Sequence, residues 1–241
     1  LTLIGVLTFF LSDGNPIRVA IVSGAYVFAG SRMGLDALRM WRSGELKTEL
    51  PRYAFQQRRW ERAGKTNVKL SMQVEGILQG LGNASFLAMP ALIIASNPSN
   101  SVSIFEVIGL LLWLMAFGLE ALADHQKHAF LRAMKAAGET NKLCNAGLWK
   151  YSRHPNYFAE WMVWNALVVA SIPSWLALYE GERLMIWLLL GGGLLFASRV
   201  MYTTLVYYTG AVPAEYYSVK KRPEYKDYQQ RTNRFFPGPR K

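Results

Sequence analysis

Twelve consecutive residues, Lys150-Tyr151-Ser152-Arg153-His154-Pro155-Asn156-Tyr157-Phe158-Ala159-Glu160-Trp161, gather two cations, a histidine, an asparagine and a carboxylate directly before the apolar run 162–172. Such a cluster at the mouth of a membrane helix is costly to bury unless it holds a ligand or a fixed polar network. Pro155 suits a first helical turn, where its missing N–H costs nothing. Asn156, Glu160 and Trp164 then fall on one stripe, with Arg153 and His154 in the entry loop. A carboxylate one turn inside such a helix needs a partner: Arg153, another helix, or a ligand hydroxyl or amide.

Glu120 and Asp124 repeat the four-residue spacing at the end of an earlier apolar run, so they share a helix face, and His128 continues it. Three readings stand side by side. The trio is a metal set, although a stripe along one helix cannot close a compact site alone. Or it is a solvated helix end, or it hydrogen-bonds a polar ligand entering from the basic side. Arg199 stands far from either end of an apolar block and is expected to face inward, paired with Glu120 or Glu160.

The elements that must position these groups are apolar blocks with the charges lying between them. Residues 104–119 carry only Glu106, 184–208 only Arg199 and 73–96 only Glu75, while 162–179 carry no charge. These lengths approach or reach the roughly 20 residues a helix needs to cross the hydrocarbon core, and in lipid the backbone must satisfy itself. The expected fold is an all-α polytopic integral membrane bundle of about six to seven transmembrane helices. Residues 1–11 are too short to span, and a start on Leu1 fits a processed or trimmed first helix; no basic n-region marks a signal peptide. A turn at 12–16 leads into a helix over about 17–41 that begins apolar and ends amphipathic. Two hairpins follow, 72–96 with 103–121 and 161–179 with 184–209. The whole is expected to be one membrane domain: residues 1–69 form an N-terminal helix pair plus a basic amphipathic segment, and 70–241 form the bundle and a cytosolic tail.

Three segments, 32–69, 127–153 and 220–241, hold 24 of the 27 Lys and Arg. Under the positive-inside tendency they share one face, placing basic loops and the C-terminus on the cytosolic or inner side of an endoplasmic reticulum, organellar or bacterial inner membrane. The net charge of +11 reads as orientation and contact with anionic headgroups, or as cations that meet a phosphate-bearing ligand. No nucleic-acid module is recognisable, and the basic residues sit at helix ends. A single cysteine, Cys144, excludes an internal disulfide and a cysteine-based metal site. Neither GxGxxG nor a P-loop occurs, so any nucleotide is held by something other than a Rossmann turn.

The run Gly147 to Trp161 resembles the signature of membrane proteins akin to steroid 5-alpha-reductases. The tail Arg222 to Pro237, the Glu120-xxx-Asp124 helix end and the basic aromatic stretch Arg52 to Trp60 fit the same pattern. The resemblance covers the chain from about residue 50 onward. It implies a bundle enclosing NADPH from the cytosolic side, with a lipid-like enone entering from the bilayer. By similarity Asp124, Asn156 and Glu160 contact the cofactor, Arg153, His154 and Tyr157 line the same pocket, and Tyr228, Arg231 and Arg234 close it from the tail. Glu120, Arg199 and Glu215 are carried along as cofactor-binding candidates, and no metal is expected. The relatives polarise a substrate carbonyl with a Gln–Glu pair and a Tyr; Gln73, Glu75 and Gln79 lie in the corresponding region. Two departures stand out: Glu120 where steroid reductases carry Asn, and Glu215 where they carry His. The superfamily also holds S-adenosylmethionine-dependent methyltransferases with an Arg-His-Pro-x-Tyr core, so that activity stays open. So does a non-catalytic subunit of a membrane complex, docking through 31–69.

Overall fold

The computed structural model describes residues 1–240, apart from the side chain of Asn83. Among them the chain is all helical: α1 (Thr2–Leu11), α2 (Pro16–Arg42), α3 (Pro51–Arg62), α4 (Val68–Ser85), α5 (Met89–Ala95), α6 (Ile104–Ala136), α7 (Pro155–Ala177), α8 (Leu184–Thr203), α9 (Ala211–Lys221) and α10 (Tyr225–Arg231). Local chemistry fixes several boundaries. Proline stands in the first turn of α2, α3 and α5 and opens α7, where its locked φ is already helical. The Asn15 side chain accepts from the amides of Ile17 and Arg18, and that of Asn67 from Leu70, each satisfying donors left open at a helix start.

The expected count of six to seven membrane helices is not reached on length and composition. Two helical stretches, Ile104–Ala136 and Leu184–Lys221, are long and apolar enough to cross a membrane. The reasons are local. α1 has 10 residues, about half a span. α2 ends in the charged run Arg32–Arg42. The block 72–96 is not one helix; it stops at Ser85 and restarts at Met89, because Pro90 removes a donor and crowds the residues before it. The second hairpin follows the sequence more closely, with α7 and α8 separated at 178–183.

The chain groups into two compact units with interleaved segments. The first comprises Leu1–Leu50, Gln56–Leu111 and Asn165–Arg199; the second comprises Pro51–Phe55, Leu112–Trp164 and Val200–Lys241. In the first unit α1 and α2 pack together and both meet α5. Arg18, in the first turn of α2, forms a two-point pair with Glu106 of α6 and also donates to the carbonyls of Ser99 and Ser101. At the turn between α7 and α8, Trp175 and Trp187 stack 4.2 Å apart, and each indole N–H donates to the other's carbonyl at 2.9 Å.

In the second unit the C-terminal tail is laid along the loop that precedes α7. Ser152 and Asn233 form a parallel β-bridge. The Arg153 amide donates to the Asn233 carbonyl at 2.9 Å, and the Gly238 amide to Tyr151 at 3.1 Å. Phe235 packs edge-on against Phe158, Trp161 and Tyr202 at 5.8, 6.0 and 5.2 Å. A π-helical turn, Thr204–Tyr208, ends the long apolar helix. Gly210 then reverses the chain with φ −105° and ψ −110°.

Candidate functional site

The second unit carries two polar clusters. The first is built on Glu215, buried in α9 at 4% exposure. Its Oε1 accepts from Arg153 Nε at 2.8 Å, and its Oε2 from Arg153 Nη2 at 3.2 Å. Oε2 also accepts from Gln229 Nε2 at 2.9 Å and Arg234 Nε at 3.3 Å. His154 places Nε2 3.2 Å from Oε1; a carboxylate only accepts, so Nε2 carries the hydrogen. Arg153 completes its donor set on the carbonyls of Gln229, at 2.9 Å, and Thr232. Burial, the larger influence, holds the His154 imidazole below its usual range, while the hydrogen bond to Glu215 pulls the other way. The planar guanidinium fork matches a carboxylate at two points, a geometry that a lysine could not reproduce.

Around that hub the loop before α7 is fastened on every side. The Ser152 hydroxyl donates to the Phe235 carbonyl at 2.9 Å and accepts the His154 amide at 3.1 Å. Tyr228 donates to the Trp149 carbonyl, and burial pushes its phenol up, so it stays a donor. The Trp149 indole donates to Ala123 of α6 at 2.9 Å, with Lys127 3.9 Å above its ring. Sequence reasoning missed Gln229, Ser152 and Trp149 as working parts. Each lay inside a matched stretch, Trp149 and Ser152 in the motif and Gln229 in the tail.

The second cluster joins α6 to α7. Asn156 Nδ2 donates to Asp124 Oδ1 at 3.0 Å, across 32 residues of sequence. The other end of that amide, Asn156 Oδ1, is buried and has no hydrogen-bond partner among the described residues. The Tyr157 ring lies parallel to His154, 5.3 Å away, and within electrostatic reach of Glu160, Arg52 and Asp124. Glu160 and Tyr157 are half-buried, and Trp164, further along the stripe, is buried. Glu120 is buried one turn before Asp124.

Other expected site residues fall differently. Arg199 is exposed on α8. Arg231 is also exposed; it lines a cavity of roughly 250 Å³ with Glu224, Asp227 and Arg240. None of Asp124, Asn156, Tyr157 or Glu160 borders that cavity. His128 is exposed, and the described residues contain no group of three His, Cys, Asp or Glu placed to hold a metal. Cys144 is buried. In the first unit Gln73 and Gln79 are exposed and Glu75 is half-buried. Glu75 accepts from Gln79 at 3.2 Å and from Gln56 of α3 at 3.1 Å. Gln56 had no signal, being one polar residue inside a basic stretch.

Among the described residues the chain is all helical, and its long α6 carries the half-buried Asp124 that meets Asn156 of α7. The chain belongs to the family described as a protein of unknown function, DUF1295, whose model matches residues 1–232. It is also similar to an uncharacterized protein, C594.04c, of Schizosaccharomyces pombe, 26% identical over 178 residues. That match covers 65% of this chain and 44% of the relative, so the chain spans less than half of the relative's length. No solved structure matches it.

Proposed function

We propose that the chain is a membrane-embedded reductase that uses NADPH to reduce a lipid-like substrate, a steroid, sterol or enone. The observation that carries the reading is Asn156: its Nδ2 is held by Asp124 while its buried Oδ1 lacks a donor. A buried acceptor left unmade is expensive, and a nicotinamide carboxamide or a ribose hydroxyl supplies the missing donor. Asp124 fixes the amide so that the oxygen, not the nitrogen, faces the ligand. Tyr157 and Glu160 complete the polar wall, and Arg52 brings positive charge beside Tyr157. Arg153 is not available for phosphates, because its guanidinium is taken by Glu215 and two carbonyls. When bound, the cofactor supplies hydride; the protein binds, orients and excludes water.

The membrane setting belongs to the same reading. α6, at 33 residues, runs about 50 Å and overshoots a hydrocarbon core of about 30 Å. The overshoot carries Asp124 toward the basic, cytosolic face, where a soluble nucleotide is met. α2 and α7, at 27 and 23 residues, complete the bundle as more polar crossings.

Thermal unfolding of the purified protein tests the proposal. NADPH should protect more than NADH, because the 2′-phosphate adds a contact for a cation. Asn156→Ala should abolish that protection while leaving the ligand-free melting temperature close to wild type. Protection by S-adenosylmethionine and not NADPH would replace this reading with a methyltransferase of the same fold. Protection by neither would leave a non-catalytic membrane subunit.

A further inference from the structure

The cavity of roughly 250 Å³ lies wholly within the second unit and is bordered by no member of the Asp124–Asn156 cluster. It is smaller than the roughly 300–1,000 Å³ of sites that take drug-sized ligands, so its occupant is a small molecule. Its walls carry opposite charges that do not neutralise one another. Arg231 and Arg240 stand on it with Glu224 and Asp227. Asp227 and Arg231 are four apart on α10, a spacing at which such residues commonly pair. Yet neither they nor Glu224 enter an ion pair among the described residues. Arg240 donates to the side-chain oxygen of Asn145, also in the lining, which leaves that amide only N–H groups to offer. Thr232, in the same wall, is 2% exposed, and its Oγ1 is buried without a hydrogen-bond partner among the described residues. Its amide donates to the Tyr228 carbonyl at 3.0 Å and its carbonyl accepts from Arg153. The hydroxyl is therefore its one polar group left for an occupant, and a buried hydroxyl left unmade is costly.

Charge balance selects the occupant. Two guanidinium groups and two carboxylates cancel; a bare anion would meet the acids, and a bare cation the arginines. A molecule carrying both charges satisfies all four, and the guanidinium forks match a carboxylate. Among the described residues Leu143 is the one aliphatic hydrocarbon side chain in the lining, so the chains of a lipid find no apolar wall there. We infer that this cavity is a binding site for a free, small, polar α-amino acid. Its carboxylate lies on Arg231 and Arg240, its ammonium on Glu224 and Asp227, and its polar side chain on Thr232 and Asn145. The site stands independently of the reductase reading, and its occupant joins the loop 143–145 to α10 and the tail.

Isothermal titration of the purified protein in phosphatidylcholine nanodiscs with L-serine, L-threonine, L-asparagine and L-glutamine tests the inference. At least one of them should bind saturably. For whichever binds most tightly, the analogue lacking the ammonium and the analogue lacking the carboxylate should each bind at least about ten-fold more weakly, the factor for one hydrogen bond to a charged group. Asp227→Asn and Arg240→Gln, both at exposed positions, should each weaken binding about ten-fold and leave the ligand-free melting temperature unchanged. The amino acid should also slow proteolytic cutting in 222–240. Absence of saturable binding by all of the amino acids, equal binding of either analogue, or wild-type affinity in both variants overturns the inference. Tighter binding of glycerophosphoethanolamine than of the amino acid overturns it as well, by assigning the cavity to a lipid headgroup.

Discussion

Arg153 and Glu215, 62 positions apart in sequence, meet in a two-point ion pair at 2.8 and 3.2 Å. Their side chains are 6% and 5% exposed. The pair ties the loop before α7 to α9, and through Gln229 and Thr232 it also ties α10 and the tail.

Glu215→Gln should therefore strip Arg153 of its counter-charge inside the protein. Removing one partner of a buried pair costs about 3–5 kcal/mol, far more than the loss of an exposed pair. The expected readout is a large drop in melting temperature together with faster proteolytic cutting in 222–240, because the same residue anchors Gln229 and Arg234. An intact tail at an unchanged melting temperature would show that the cluster does not hold it.

Stability should fall on acidification through His154. Burial lowers its pKa from 6.5 in the folded chain, so the unfolded chain takes up a proton more readily. Folding stability is then retained above about pH 6.5 and lost as the pH falls from there toward the folded-state value. Replacing the imidazole by His154→Gln should flatten the profile below pH 6.5, by at most ~1.4 kcal/mol per pH unit for one proton. Denaturation of both proteins between pH 5 and 8 gives the comparison; parallel slopes would remove His154 as the cause.

Gly210 is required by its backbone. A Cβ there would run into the carbonyl oxygen of Leu205, a backbone atom that cannot swing aside. Gly210→Ala should cost about 1–3 kcal/mol and disturb the π-turn before α9. A melting temperature equal to wild type would mean that the turn relaxes freely.

The proposed topology places Lys47 and the C-terminus on the cytosolic face and Ser99 on the opposite one. Lys47 and Ser99 are exposed, whereas Cys144 is buried and makes a quiet background. Membrane-impermeant thiol labelling of Lys47→Cys and Ser99→Cys in sealed vesicles should mark them from opposite sides. Labelling of both from one side would overturn the arrangement.

Much of the helical layout was legible because it depends on neighbours in sequence. Apolar blocks, first-turn prolines and capping asparagines act within a few residues, so the 17–41 helix and the turn between α7 and α8 appear close to where the sequence puts them. The meeting of Asp124 with Asn156 was half legible. Each lies at the end of an apolar block, and positions four apart share a face, but which end meets which depends on packing.

The sequence by itself determined an all-helical chain whose cations gather in three segments, because hydropathy and charge are properties of each residue. Only the tertiary structure decided that Arg153 is spent on Glu215, that Arg199 is exposed, and that Gln56 joins Glu75. Those outcomes depend on distances between segments 19 to 62 residues apart and on the direction in which a helix turns each side chain. No local pattern encodes either of them.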